Sequence, residues 1–344
     1  MGLQISEIVP KEEISFEDLK GKVIAVDAFN TLYQFLTTIR QPDGAPLVDK
    51  KGHITSHLSG LFYRTTNLMT KGLKLVFVFD GKAPELKART HEKRREVKEQ
   101  AKAMFETAET IEERAKYAAR ISYLDEDMVD ESKKLLDALG IPVVQAPSEG
   151  EAQAAFMARK KDVFAAASQD YDSLAFGAPR LIRNLTLARK RKLPSGLAVS
   201  IQPEMIELDK VINSLGINLD QLICLGILTG TDYNPGGVKG LGPKKSLNIV
   251  KQHRNPVMIF KAVQAQLREA GGDLEFDWSK IFELFKKPDV TSKYEIKFKE
   301  INEEKLKKIL CKEHDFSEER VDSAIKKVIE GKEDMKQANL KKFF

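Results

Sequence analysis

What this 344-residue sequence has little of narrows it first. There are two cysteines, Cys224 and Cys311, each in an apolar helix-like segment and without paired spacing. That excludes a disulfide-stapled scaffold and a Cys-built zinc module, and it fits a reducing compartment. Zinc would want His or Cys, and the chain has only five histidines besides these two cysteines. No apolar run approaches the ~20 residues that span a bilayer. The N-terminus has no basic-then-apolar leader. No membrane is expected, and a cytoplasmic location is. Proline is absent between Pro84 and Pro142, where charge dominates instead. Neither sign of charge prevails: Lys plus Arg total 56 against 51 for Asp plus Glu, a net of +5. That small excess gains weight if several acids are sequestered in one patch, because the remaining surface is then more basic than the total suggests.

The acids that are present are placed unusually. In "SQDYDSL", Asp170 and Asp172 follow the apolar run "VFAAA". Asp is a common turn and N-cap residue, so one such case has a solvent explanation. Other strand-like runs end the same way. "KVIAVDAFN" reaches Asp27, "LKLVFVFDG" reaches Asp80, and "GIPVVQAPSEGEAQAAF" leads to Glu149 and Glu151. Helix-like patterns separate these runs, which predicts an α/β fold with a central, mostly parallel sheet flanked by helices. Ligands of such sheets bind outside the carboxyl ends of the strands. Carboxylates converging there repel one another unless a cation intervenes. An all-oxygen donor set suits magnesium or manganese.

Residues 82–139 form a charged insert that cannot build its own core. Its segment "KARTHEKRR" is basic, and since the insert joins two acid-ending strands it is expected over the acidic patch. "DEDMVDESKKLLDALGIP" predicts a helix capped by Asp125 or Asp127, with Met128, Leu135, Leu136 and Leu139 on one face and a stop at Gly140. After residue 180, "RLIRNLTLARKRKLPSGLAVSIQPE" predicts a hairpin with a basic tip. Asp232 follows the apolar helix "LICLGILTG" as a seventh candidate ligand. "GVKGLGPKKS" resembles a helix-hairpin-helix turn: Gly240 and Gly242 permit close backbone approach, and Lys244 and Lys245 open a helix whose N–H groups can hold a phosphate. The C-terminal "QANLKKFF" is polar except for Leu340, Phe343 and Phe344, as if for docking to another protein.

Together, "VDAFNTLYQFL", "SHLSGLFYRT", "FVFDGKAPELK", "QAPSEGEAQAA", "ASQDYDSLAFG", "RNLT", "GTDYNPG" and "GLGPKKSL" resemble an archaeal flap endonuclease of the 5′-nuclease superfamily, in order and spacing from near residue 1 to about 250. The resemblance implies a helical arch over the active site and hydrolysis of branched DNA, at flaps and nicks, by two divalent ions. Asp27, Asp80, Glu149 and Glu151 would hold the first ion. Asp170, Asp172 and Asp232 would hold the second, with Glu151 near both. Lys87 and Arg94 match residues that steady the scissile phosphate, and Tyr33 matches an aromatic that stacks on a base. The hairpin would grip duplex, and in relatives it also holds potassium. Here one more residue separates Asp232 from the hairpin than in some relatives. The tail matches the family's sliding-clamp box through Gln337, Leu340, Phe343 and Phe344. The implied organisation is a nuclease region at 1–98, the arch at 99–125, a second nuclease region with the hairpin at 126–258, a helical region at 259–332 and a flexible tail at 333–344, in a monomer.

Two other readings compete. "DYDS" resembles the Asp-x-Asp of dehalogenase-type phosphatases, whose first Asp is a nucleophile; that motif belongs after the first strand, and five acids would go unexplained. A non-catalytic clamp adaptor would need only the hairpin and tail. A sibling nuclease that acts on nicks, bubbles or junctions is the nearer alternative. The moderate insert after Asp80 favours the flap enzyme.

Overall fold

The computed structural model describes residues 3–41, 43–87, 96–97, 99–101, 103–104, 107, 110, 117, 124–186, 190–192, 198–269 and 271–340, with backbone only at 190–192, 198–200 and 334–340. Along the chain run β1 (Glu12–Glu13), β2 (Val23–Asp27), α1 (Ala28–Thr38), α2 (Ser56–Thr70), β3 (Lys74–Phe79), α3 (Glu126–Ala138), β4 (Val143–Gln145), α4 (Gly150–Arg159), β5 (Ala165–Ala167) and α5 (Asp172–Ala175). There follow β6 (Arg180–Arg183), β7 (Lys190–Lys192), β8 (Ala198–Ser200), β9 (Glu204–Glu207), α6 (Leu208–Leu215), α7 (Leu219–Thr229), α8 (Pro243–Gln252), α9 (Pro256–Glu269), α10 (Trp278–Lys286), α11 (Glu303–Lys307) and α12 (Glu318–Leu340). Among the described residues no single helix is long and apolar enough to cross a membrane.

The chain divides into two compact units. The first comprises 1–14, 80–92 and 145–292; the second comprises 15–79, 93–144 and 293–344. In the first, β5 pairs parallel with β6, β6 antiparallel with β9, and β9 antiparallel with β1. The basic segment after β6 does not extend that strand: β7 pairs with β8 in a separate two-stranded ribbon. The expected hairpin is therefore real but shorter, because β6 takes β9 as its partner. Helix α7 is buried at every position from Gln221 to Thr229 and anchors this unit. Its start is a reciprocal capping box between Asn218 and Gln221, which satisfies two of the helix's orphan N–H groups.

In the second unit β2 pairs parallel with β3 over five residues, Val23 opposite Lys74 through Asp27 opposite Val78. Both strands are almost wholly buried, as a near-continuous apolar run predicts for a parallel pair. Helix α3 forms where the sequence places it. Asp125 caps it by accepting from Met128 N at 2.8 Å, and Met128, Leu135, Leu136 and Leu139 are buried. Gly140 ends it with φ +73°, a left-handed conformation that favours glycine. The segment beyond residue 293 lies against that end: Lys299 N donates to Gly140 O at 2.9 Å and Asn302 N to Ala138 O at 2.8 Å. The last helix, α12, continues through Leu340, into the segment 333–344 expected to be a flexible tail. Its Glu, Lys, Met, Gln and Ala residues are strong helix formers, with no glycine or proline after Gly331 to stop them.

A Cβ at Gly140 would sit 2.1 Å from Lys299 O, and the backbone there is left-handed. Gly140→Ala should therefore lower stability by about 2 kcal/mol or more. Thermal and urea unfolding of the variant measure this; an unchanged midpoint would show that the strap over α3 can yield freely.

Candidate active site

Each expected acid sits where a strand or helix ends. Asp27 is the last residue of β2 and caps α1, accepting from Asn30 N at 3.0 Å. It lies in the second unit, whereas Asp80, Glu149, Glu151, Asp170, Asp172 and Asp232 all lie in the first. Asp80 directly follows β3, and its Oδ1 accepts from Gly150 N at 2.6 Å, so the first turn of α4 is tied to it. Gln145 Nε2 holds the Asp80 carbonyl at 2.7 Å. Glu149 is the N-cap residue of α4 and Glu151 lies in its first turn, where a helix end favours negative charge. Asp172 opens α5 and accepts from Leu3 N at 2.6 Å. Asp232 is carried by a turn that its neighbours lock. Thr231 Oγ1 donates to Asn234 Oδ1 at 2.7 Å, and Asn234 Nδ2 donates to Ile227 O at 2.7 Å.

The first-unit acids act on one another. Burial raises the pKa of Asp80, and Asp232 raises it further. Burial likewise raises that of Glu149, with Asp80 and Asp232 adding to it. Asp172 is pushed up to about 7, first by burial and then by the charges of Asp170 and Asp232. Tyr233, buried beside them, is raised well above its ordinary value by burial and by Glu149, Asp172, Glu151 and Asp232. The charges of four of the six first-unit acids thus act on one phenol. Lys87 is a cation placed against these acids. Its Nζ hydrogen-bonds Glu149, lies 3.7 Å from Asp232 Oδ2 and 5.7 Å from the centre of the Tyr233 ring. Burial alone would lower its pKa, but Glu149, Asp232 and Asp80 hold it above the usual lysine value.

Several supporting groups were not singled out by sequence. Ser168 Oγ donates to Glu151 Oε1 at 2.6 Å and accepts from Asp170 N at 3.2 Å. Arg183 grips the loop that carries Asp170 and Asp172, through Gln169 O at 3.0 Å and the Tyr171 hydroxyl at 2.7 Å. Ser168 stands inside "SQDYDSL", so its nearness to the acids was available. The Leu3 contact was not, because 169 residues separate it from Asp172. Of the other expected residues, Tyr33 is 41% exposed on α1. Gly240 has φ +83°, Gly242 caps α8, and Lys244 and Lys245 are exposed in its first turn. Gln337 and Leu340 lie on α12, with side chains outside the description. Arg94, Phe343 and Phe344, and most of the expected arch at 99–125, lie outside the described residues.

A group of buried and half-buried acids, three of them with raised pKa values, that offers oxygen donors only is what hard divalent ions occupy. An α/β scaffold that brings such acids from successive strand and helix ends to one patch defines a metal-dependent hydrolase. Residues 3–101 match the XPG N-terminal domain and 140–232 match the XPG I-region. The chain is 52% identical to flap endonuclease 1 of Pyrococcus horikoshii, over 100% of this chain and 98% of that one. Its fold is similar to flap endonuclease-1 from Methanococcus jannaschii, with TM-score 0.76, 44% identity, and 96% and 98% of the two chains covered. The catalytic core of Rad2 in complex with a DNA substrate shares the fold at 23% identity and TM-score 0.70, over 92% of this chain and 96% of that one. The chain belongs to the flap endonuclease 1 family of metal-dependent, structure-specific nucleases.

Asp172 gives a signed expectation. An acid whose folded pKa is raised adds stability that is present below its unfolded value, ~3.9, and lost as pH rises toward 7. In metal-free protein, Asp172→Asn should raise the melting temperature at pH 7.5, and the gain should shrink toward pH 4. Stabilisation by magnesium should fall in the same variant. A melting temperature at pH 7.5 below that of the parent chain would contradict the burden assigned to this carboxylate.

Proposed function

We propose that the chain is a 5′ flap endonuclease with 5′-to-3′ exonuclease activity, cutting phosphodiesters where a flap meets duplex in Okazaki-fragment maturation and repair and leaving a 5′-phosphate. The observation that carries this is the convergence of the first-unit acids around Lys87 and Tyr233. Two magnesium ions, or manganese in their place, supply an activated water and charge for the leaving oxygen. Asp80, Glu149 and Glu151 hold the first ion, and Asp170, Asp172 and Asp232 the second, with Glu151 near both. Asp27 carries the first-ion role that family membership implies. The backbone N–H groups of Gly150 and Leu3 fix the Asp80 and Asp172 carboxylates in orientation. Lys87, with Arg94, holds the reacting phosphate and opposes its developing charge.

Substrate is held by simpler chemistry. The exposed ring of Tyr33 stacks on a base. Gly240 and Gly242 have open space where a Cβ would lie, so a phosphate can approach the first turn of α8, with Lys244 and Lys245 beside it. A potassium ion is proposed at the same hairpin. Gln337, Leu340, Phe343 and Phe344 bind a sliding clamp, the two aromatics filling an apolar pocket on the partner.

Cleavage of labelled flap, nicked, bubble and single-stranded DNA side by side, in magnesium and in EDTA, tests the reading. Flap cleavage should dominate and require the metal. Asp170→Asn should abolish it while retaining flap binding in calcium. Lys87→Ala should slow the single-turnover step by roughly a hundredfold. A loss that excess enzyme rescues would move Lys87 to general DNA binding, and near-normal turnover of Asp170→Asn would remove the two-ion assignment. For the tail, Phe343→Ala with Phe344→Ala should leave oligonucleotide cleavage and melting temperature unchanged but remove stimulation by the clamp. Lost stability or intrinsic activity would instead mean that these rings pack on the enzyme itself.

A further inference from the structure

Histidine is scarce in this chain, yet His53, His57 and His314 gather in the second unit with Asp49 and Glu131. Asp49 opens a tight turn. Its backbone N–H donates to His53 O at 3.0 Å, and its carbonyl accepts from Gly52 N at 3.1 Å. The Asp49 side chain is buried. Its Oδ1 accepts from Lys51 N and His53 N, both at 2.9 Å. Its Oδ2 faces two ring nitrogens, His53 Nδ1 at 2.9 Å and His314 Nδ1 at 3.1 Å. His314 is buried and follows a π-helical stretch, Lys308–Glu313. Its other nitrogen, Nε2, lies 3.1 Å from Glu131 Oε1 on α3. The second Glu131 oxygen lies 3.4 Å from Nε2 of the buried His57.

We propose that Asp49, His53 and His314 form a binding site for a borderline transition-metal ion of the zinc class, separate from the carboxylate centre. Their three donor atoms lie within 4.8 Å of one another. Zinc bonds of 2.0–2.2 Å imply edges of about 3.3 Å between ligand atoms in a tetrahedron, and the two edges to Asp49 need open only slightly. The donor set also keeps its other hydrogen bonds when an ion enters. Asp49 Oδ1 retains both backbone donors. His314 presents Nδ1 while its Nε2–H donates to Glu131, the carboxylate–histidine–metal relay that orients such ligands. His53 is exposed, so an ion can reach the site from its side. A mixed nitrogen and oxygen set of this kind favours zinc over magnesium, the reverse of the all-carboxylate centre. The ion would tie the 49–53 turn to the segment before α12. Lys50 already makes part of that link, its N–H donating to Asp315 Oδ2 at 2.9 Å.

The test uses the full chain with magnesium in excess, so that the carboxylate centre is filled by a hard ion. Cobalt(II) is the spectroscopic probe and zinc the thermal one. Cobalt should give the strong visible bands of a tetrahedral, imidazole-bound ion at one equivalent, and micromolar zinc should raise the melting temperature. His53→Ala should remove the bands and weaken zinc binding at least about tenfold, while nuclease activity in magnesium is unchanged. Two outcomes overturn the proposal: no saturable cobalt signal below millimolar concentration, or a signal that survives His53→Ala. In either case the cluster is a proton-bridged ion pair between Asp49, His314 and Glu131.

Discussion

Mutual repulsion of buried carboxylates is the constraint on which the rest depends. Asp80, Glu149 and Asp172 each sit where burial disfavours their charge, and each feels a neighbouring acid as well. A cluster like this is costly to a fold unless something compensates it. In the protein alone Lys87 does so in part, through Glu149 and Asp232. Divalent ions, which the family uses, would complete the compensation at the site proposed above. A cluster that disfavours its own charge in this way is the electrostatic signature expected of a functional site.

The backbone is arranged to keep these charges in place. The N–H of Gly150 and that of Leu3 each aim at a carboxylate oxygen, an interaction that strengthens in a low-dielectric site. Close packing enforces the Leu3 contact: a Cβ at Gly226 on α7 would lie 2.7 Å from the Leu3 side chain. Leu3 is therefore held where its N–H meets Asp172. Gly237 plays a comparable part beyond Asp232, since a Cβ there would meet Leu228 O at 2.3 Å. Charge, turn and helix packing are thus specified together.

Much of this was legible in the sequence. Acids at the ends of apolar runs, with helical periods between, gave the α/β class and all six acids that converge in the first unit. Asp125 and Gly140 marked the ends of α3 correctly because capping and left-handed glycine are local effects. Long-range pairings were not legible. No local pattern announces that Leu3 meets Asp172, that β6 pairs with β9 rather than with β7, or that His314 meets Asp49 across 265 residues. The extension of α12 through Leu340 reflects helix propensity in a polar segment with no apolar face to reveal it.

The acids are held together at the cost of an ionisation, which bound metal is expected to restore. Calorimetry of manganese binding at pH 7, repeated in buffers of different ionisation enthalpy, counts the protons released. With Asp172 pushed up to about 7, roughly half a proton or more should leave per chain as the ions bind. Asp172→Asn should remove that release. Manganese binding without proton release in the parent chain would contradict the account, because the carboxylates would then already be fully ionised in the empty site.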